Sequence, residues 1–196
     1  MKLLSMNGTD IDLNSRTPQC IISGNNNDDM DCLVNRMIET IKQTGGGNAN
    51  LHVLNNCNNS SFDMLRGGMN GYFRSRYEEL AEHGSANIEK YNTHGKMMPY
   101  EIFFFPDISV NDKSVLTVMK ETSMLIQVGV HVICSVKNYD SGLLSEYFQG
   151  FQTRFLFPFP DMIRNKVFFC EETSSLPENG RLWYRVGING KVRVLK

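Results

Sequence analysis

The chain alternates short continuous apolar runs with longer stretches in which apolar residues recur every three or four positions. The runs at 20–23, 51–54, 101–105 and 130–135 are rich in Ile, Val, Leu and Phe and are bounded by polar or turn residues. That is the pattern of strands buried on both faces. Further runs span 154–159, 181–186 and 191–195. Between the runs, Leu33, Met37, Ile38 and Ile41 share one helical face, as do Val115, Val118, Met119, Thr122, Leu125 and Ile126. Such alternation predicts an α/β fold with a mainly parallel central sheet and helices on both faces. Gly180, Gly187 and Gly190 break the tail after Thr173, which reads as a closing antiparallel hairpin. The polar stretches 45–50 and 55–61 read as loops, not linkers, and no internal repeat is present. Residues 1–196 therefore read as one domain.

Composition narrows the function classes. Charged residues are 21% of the chain and the formal net charge is −1, so no basic excess marks an autonomous nucleic-acid binder. Cys20, Cys32, Cys57, Cys134 and Cys170 are scattered, mostly in apolar runs, and include no C-x-x-C pair. They argue against a disulfide framework or zinc site and for buried thiols in a reducing, cytoplasmic setting. No apolar run approaches the roughly 18 residues of a membrane span, and the N-terminus has no signal-peptide pattern.

The segment 19–41 is laid out as a buried strand, a turn and an amphipathic helix, the arrangement that opens a P-loop domain. A working P-loop, G-x-x-x-x-G-K-[ST], needs a second glycine, a lysine for the phosphates and a hydroxyl for Mg²⁺. After Gly24 this chain has Asn25, Asn26, Asn27, Asp28, Asp29, Met30 and Asp31. Three aspartates repel a triphosphate where a lysine and backbone N–H groups would attract it. The layout is that of a nucleotide loop; the chemistry is not.

Other residues have simpler readings. Asp28, Asp29 and Asp31 suit capping of a helix N-terminus better than a divalent-metal site, because no EF-hand spacing follows. His131 reads as a core histidine, and its spacing from Cys134 puts the two on opposite faces of a strand. His52, His83 and His94 have no carboxylate or serine at recognisable spacing. The Phe103–Phe105 run reads as the centre of the sheet. Arg74, Arg76, Lys90 and Lys96 interleave with Glu78, Glu79, Glu82 and Glu89, the pattern of a solvated helix face.

Four blocks carry a family resemblance. Arg76-Tyr77, Asn87-Ile88, Tyr91-Asn92 and Pro99-Tyr100 follow one another within 76–108. This block resembles the motor domain of the FtsK/SpoIIIE family, where Arg-Tyr, Arg-Asn-Ile, Tyr-Asn and Pro-Tyr lead into the Walker B strand. The stretch 129–138 is similar to that family's Gly-Ile-His strand. The stretch 151–157 resembles its Pro-Thr-Arg strand, and 176–184 its Leu-Pro-Gly-Arg-Gly closing hairpin. The resemblance runs, with gaps, over nearly the whole chain and implies a RecA-like P-loop NTPase fold.

The departures fall where that family does its chemistry. Met30 and Asp31 stand at the positions of the lysine and Ser/Thr, and Pro106-Asp107 stands where Walker B has Asp-Glu. The sensor glutamine falls near Val136 or Lys137, and the arginine before that strand falls near Ile126. Asn55-Asn56-Cys57 replace the Asp-Pro-Lys after the second strand. The resemblance therefore implies a degenerate copy, a pseudo-ATPase with no catalytic residues of its own. Mg·ATP is expected only weakly or through a neighbouring domain, and Lys137 is the candidate phosphate contact.

The expected role is an assembly or regulatory module of a DNA-translocating or DNA-processing ATPase within a larger multidomain protein. Its partners would be neighbouring ATPase domains or subunits, with membrane contact only through other domains. The alternative is a degenerate domain of a type VII secretion coupling protein that binds partner or export-signal peptides, with Met30, Met97 and Met98 as contacts.

Overall fold

A computed structural model describes residues 1–6, 8–45, 48–54, 70–95, 97–108, 122–137, 146–170, 176–177 and 179–195. Its centre is a seven-stranded sheet in the order β4-β5-β6-β3-β7-β8-β9. These strands are β3 (Gln19–Gly24), β4 (Ala49–Val53), β5 (Tyr100–Phe105), β6 (Val130–Lys137), β7 (Thr153–Phe157), β8 (Leu182–Val186) and β9 (Arg193–Leu195). The first five in spatial order run parallel. The last two add an antiparallel hairpin at the edge. The sheet is therefore mainly parallel, as the apolar runs predict, and the tail closes it as an antiparallel pair.

Two cores lie on opposite faces of the sheet. On one face, Cys20, Ile22, Ile102, Phe104, Ile133 and Phe155 pack under α1 (Asn27–Gly45). A second, two-stranded sheet, β1 (Lys2–Met6) with β2 (Thr9–Asp12), covers the same helix. On the other face, Ile21, Phe103, Phe105, Val132 and Cys134 meet α2 (Tyr72–Glu82), α3 (Ile88–Thr93) and α5 (Met162–Phe169), with α4 (Glu146–Gln149) beside α5. In α1 the residues Leu33, Met37 and Ile41 are buried as their spacing requires. The helix expected over 115–126 lies outside the described residues up to 121, and Ile126–Val128 form a 3₁₀ turn. Asn55-Asn56-Cys57 and Lys96 also lie outside them.

Several side chains differ from the expectation. Arg76 is not on a solvated face: it is only 4% exposed and ion-paired to Glu101, itself 2% exposed, at 3.3 Å. Its guanidinium also donates to the Val128 carbonyl at 2.7 and 3.0 Å and to the Pro99 carbonyl. Glu101 further accepts from Asn50 and Tyr72, both at 2.8 Å, and lies 2.7 Å from His52 Nε2. His52 thus has a carboxylate partner 49 residues away, a separation no local spacing reveals. A buried charge persists only when paired and hydrogen-bonded in this way. Arg74 keeps the exposed pairing with Glu78.

The Phe103–Phe105 strand is buried but sits one strand in from the β4 edge, and β3 occupies the centre. Cys20 and Cys134 are buried, whereas Cys32 and Cys170 are exposed. His131 is buried beside the Pro18 carbonyl, and burial pulls its pKa down to about 4. Met30 and Met98 belong to opposite cores and Met97 is exposed, so the three form no common contact surface.

Candidate functional site

The carboxyl edge of the parallel strands is where open α/β sheets bind ligands, and β3 is its natural centre. Gly24 ends β3 against β7. A Cβ there would lie 2.4 Å from Phe157 Cβ and 2.7 Å from its carbonyl oxygen, so strand packing alone requires glycine. The Asn25 N–H continues the ladder by donating to the Phe157 carbonyl at 3.3 Å.

Only Asn25 and Asn26 then separate strand from helix, because α1 begins at Asn27. Asn26 caps the helix: its Oδ1 accepts from the Asp29 N–H at 3.2 Å and its carbonyl from the Met30 N–H at 3.1 Å. Its amide also donates to Asp29 Oδ2 at 2.9 Å. Asp28 and Asp29 sit in the first turn, where the helix dipole favours carboxylates. The Asn25, Asp29 and Met30 N–H groups, part of the backbone that a phosphate would need, are thus already bonded within the chain.

The side chains that follow diverge. Met30 is 0% exposed and packs in the α1-side core. Asp29 leans toward the closing hairpin, where Arg181 donates to both its oxygens, from Nε at 3.3 Å. Asp31 leans the other way and pairs with Lys137, at the end of β6, at 3.4 Å. The start of α1 is thereby tied to the residue before β8 on one flank and to the end of β6 on the other.

A cleft lies beside each tie. The first, of about 330 Å³, is lined by Asp31, Asn35, Val53, Asp107, Ser135 and Lys137. The second, of about 370 Å³, is lined by Leu4, Met6, Leu33, Phe157, Arg181 and Leu195 among others. In the first, Pro106 and Asp107 follow β5 directly. Asp107 is exposed at φ 52°, a left-handed conformation in which Asp and Asn are enriched among non-glycine residues. Its N–H donates to Ser135 Oγ and the next N–H, of Ile108, to the Ser135 carbonyl, both at 2.9 Å.

The structure thus brings Asp31, Asp107 and Lys137 to one cleft and sends Asp29 to another. Two contributors have no signal in the sequence beyond their type: Arg181, the partner of Asp29, and Ser135, the anchor of Asp107. Among the described residues no group of three or more His, Cys, Asp or Glu gathers as a metal site.

Similar structures show the same architecture. The cytoplasmic domain of the type VII secretion ATPase EccC from Thermomonospora curvata superposes with a TM-score of 0.71 at 14% identity, over 95% of this chain and 26% of that one. EssC (ATPases 2 and 3) from Geobacillus thermodenitrificans gives 0.69 at 11%, over 91% and 39%. The pCW3 conjugation coupling protein TcpA, in a monomer form with ATPγS, gives 0.68 at 16%, over 94% and 61%. The chain has the fold of FtsK/SpoIIIE-type P-loop ATPases. At these identities the likeness carries the fold alone, and the chain spans between about a quarter and three fifths of the length of those proteins. No family model matches the chain, and no curated sequence does. Among the described residues of this FtsK-type fold, no helix is long and apolar enough to cross a membrane.

Proposed function

We propose that this chain is a catalytically silent FtsK/SpoIIIE-like module that supports assembly or regulation of a DNA-translocating or DNA-processing ATPase. One observation carries the reading: the residues at the carboxyl edge of β3 do not fit a magnesium-bound triphosphate. Helix α1 starts after only two intervening residues, and Asn26 takes up the Asp29 and Met30 N–H groups. At the lysine position the side chain of Met30 is in the core. Lys137 and Arg181, the cations described beside the start of α1, each already have a carboxylate partner. A γ-phosphate placed there meets Asp31 and Asp107, with Lys137 already paired and no glutamate in the cleft lining for the attacking water.

A fold without that chemistry can still dock on active neighbours, which is the role we assign to it. The EssC structure, described as ATPases 2 and 3, holds more than one such unit and favours a second reading. In that reading the chain is the silent unit of a type VII secretion coupling protein. The test is steady-state phosphate release from Mg·ATP, with and without duplex DNA. The reading expects no release above buffer in either condition. DNA-stimulated turnover by this chain would sink it.

A further inference from the structure

The chain holds four Asn-Gly pairs, at 7–8, 70–71, 179–180 and 189–190. Such a pair is chemically labile, because glycine has no Cβ to shield its backbone nitrogen from the asparagine side chain. The nitrogen attacks Cγ, the Cγ–Nδ2 bond breaks, and ammonia leaves with the proton. Water then opens the five-membered imide to aspartate or to isoaspartate, in which the main chain runs through the side-chain carbon. In a folded chain the reaction depends on how freely the glycine nitrogen reaches Cγ.

The structure separates three of the pairs; Asn7 lies outside the described residues. Asn70 has a helical backbone, and a helical ψ holds the following nitrogen out of line with the side-chain carbon. Gly180 packs against the core: a Cβ on it would stand 2.1 Å from Val194 Cγ1 and 3.2 Å from Nε1 of the buried Trp183. Its peptide cannot swing toward Asn179 without moving that packing. Asn189 is placed differently. It is exposed in the turn between β8 and β9, and its side-chain amide has no hydrogen bond among the described residues. One bond restrains its neighbour: the Gly190 N–H donates to the Gly187 carbonyl at 3.2 Å, in an exposed turn where local opening costs little. Gly190 itself is dictated by the turn. A Cβ there would stand 2.1 Å from the Val186 carbonyl oxygen. The fold thus keeps the labile glycine and leaves the asparagine side chain unrestrained.

We propose that Asn189–Gly190 is a self-modification site that converts ahead of the other described pairs, and that its isoaspartate product loosens β9. The product adds one carbon to the main chain in the turn that sets the register of Tyr184 with Arg193 and of Trp183 with Val194. Strand β9 is three residues long, lies at the edge of the sheet and pairs only with β8. A shift in that turn therefore acts on the least anchored strand of the sheet. The chemistry needs only water, so it stands whether or not the β3 edge binds ATP.

The experiment incubates the full chain at mildly alkaline pH and follows each Asn-Gly peptide by mass spectrometry, with isoaspartate counted by enzymatic methylation. The same chain unfolded in urea is the control. Conversion at Asn189 before Asn70 and Asn179 is expected in the folded chain, and faster as pH rises because the attacking nitrogen must lose its proton. Asn189→Gln, whose longer side chain closes the ring far more slowly, should lose the signal of that peptide. Amide hydrogen exchange over 193–195 should speed up several-fold in the converted chain and stay at its starting rate in Asn189→Gln incubated in parallel. Earlier conversion at Asn70 or Asn179, or an Asn189 that stays intact while the urea control converts, would overturn the site. Unchanged exchange over 193–195 in the converted chain would overturn the loosening of β9.

Discussion

At the scale of single residues, Met30 is the clearest departure. The sequence places it where a P-loop has lysine, and the structure puts it in the core under α1. A lysine there would bury an unpaired ammonium, so Met30→Lys should cost about 3 kcal/mol or more and yield no ATP turnover. Urea denaturation and phosphate release check the two halves separately. His131 offers a pH test. Its pKa is about 4 in the folded chain and 6.5 when exposed, because burial favours the neutral ring. Below pH 6.5 the unfolded chain binds a proton that the folded chain refuses. Stability from this group is therefore complete above pH 6.5 and falls by about 3 kcal/mol on the way to pH 4. The urea midpoint of His131→Gln should lack that share of the decline; identical pH profiles for the two proteins would contradict it.

At the scale of elements, legibility followed local pattern. Strands β3, β5 and β6 are buried along almost their whole length, and continuous apolar runs announce them. The β1–β2 hairpin was not legible. A register irregularity between Lys2 and Leu4 lets the adjacent Leu3 and Leu4 both be buried, which erases the alternation that marks a half-buried strand. Helix α5 escaped as well, because one of its buried residues is a polar Asn165 that serves the neighbouring turn. The Arg-Tyr to Pro-Tyr block was legible for fold because its residues hold elements together. Arg76 ties α2 to the starts of β5 and β6, and Asn87 caps α3. Asn92 brackets Met98 through an amide that accepts at 2.8 Å and donates at 3.0 Å. The cap of α1 gives the prediction at this scale. Asn26→Ala removes the side-chain acceptor for Asp29 and should cost about 1 kcal/mol of stability. A thermal midpoint indistinguishable from the parent chain would mean that Asn26 does not hold the helix start.

At the scale of the whole molecule, the parallel strands occur in the spatial order second, third, fourth, first, fifth of their chain order, with the hairpin β8–β9 beyond. Strand–helix alternation led to a mainly parallel sheet; the strand order has no signature in any periodicity. The candidate site was legible only as a set of substitutions. Its geometry depends on Asp29–Arg181, separated by 152 residues in the chain, and on Asp31–Lys137. Such distant pairs leave no mark on a local window. The proposed silence of this fold rests on its having no grip on a triphosphate. Calorimetric titration of the full chain with Mg·ATP and Mg·ADP to millimolar concentration tests it most directly. The account predicts no saturable heat with either nucleotide, whereas a micromolar Kd would contradict it and show that the edge of β3 still holds phosphate.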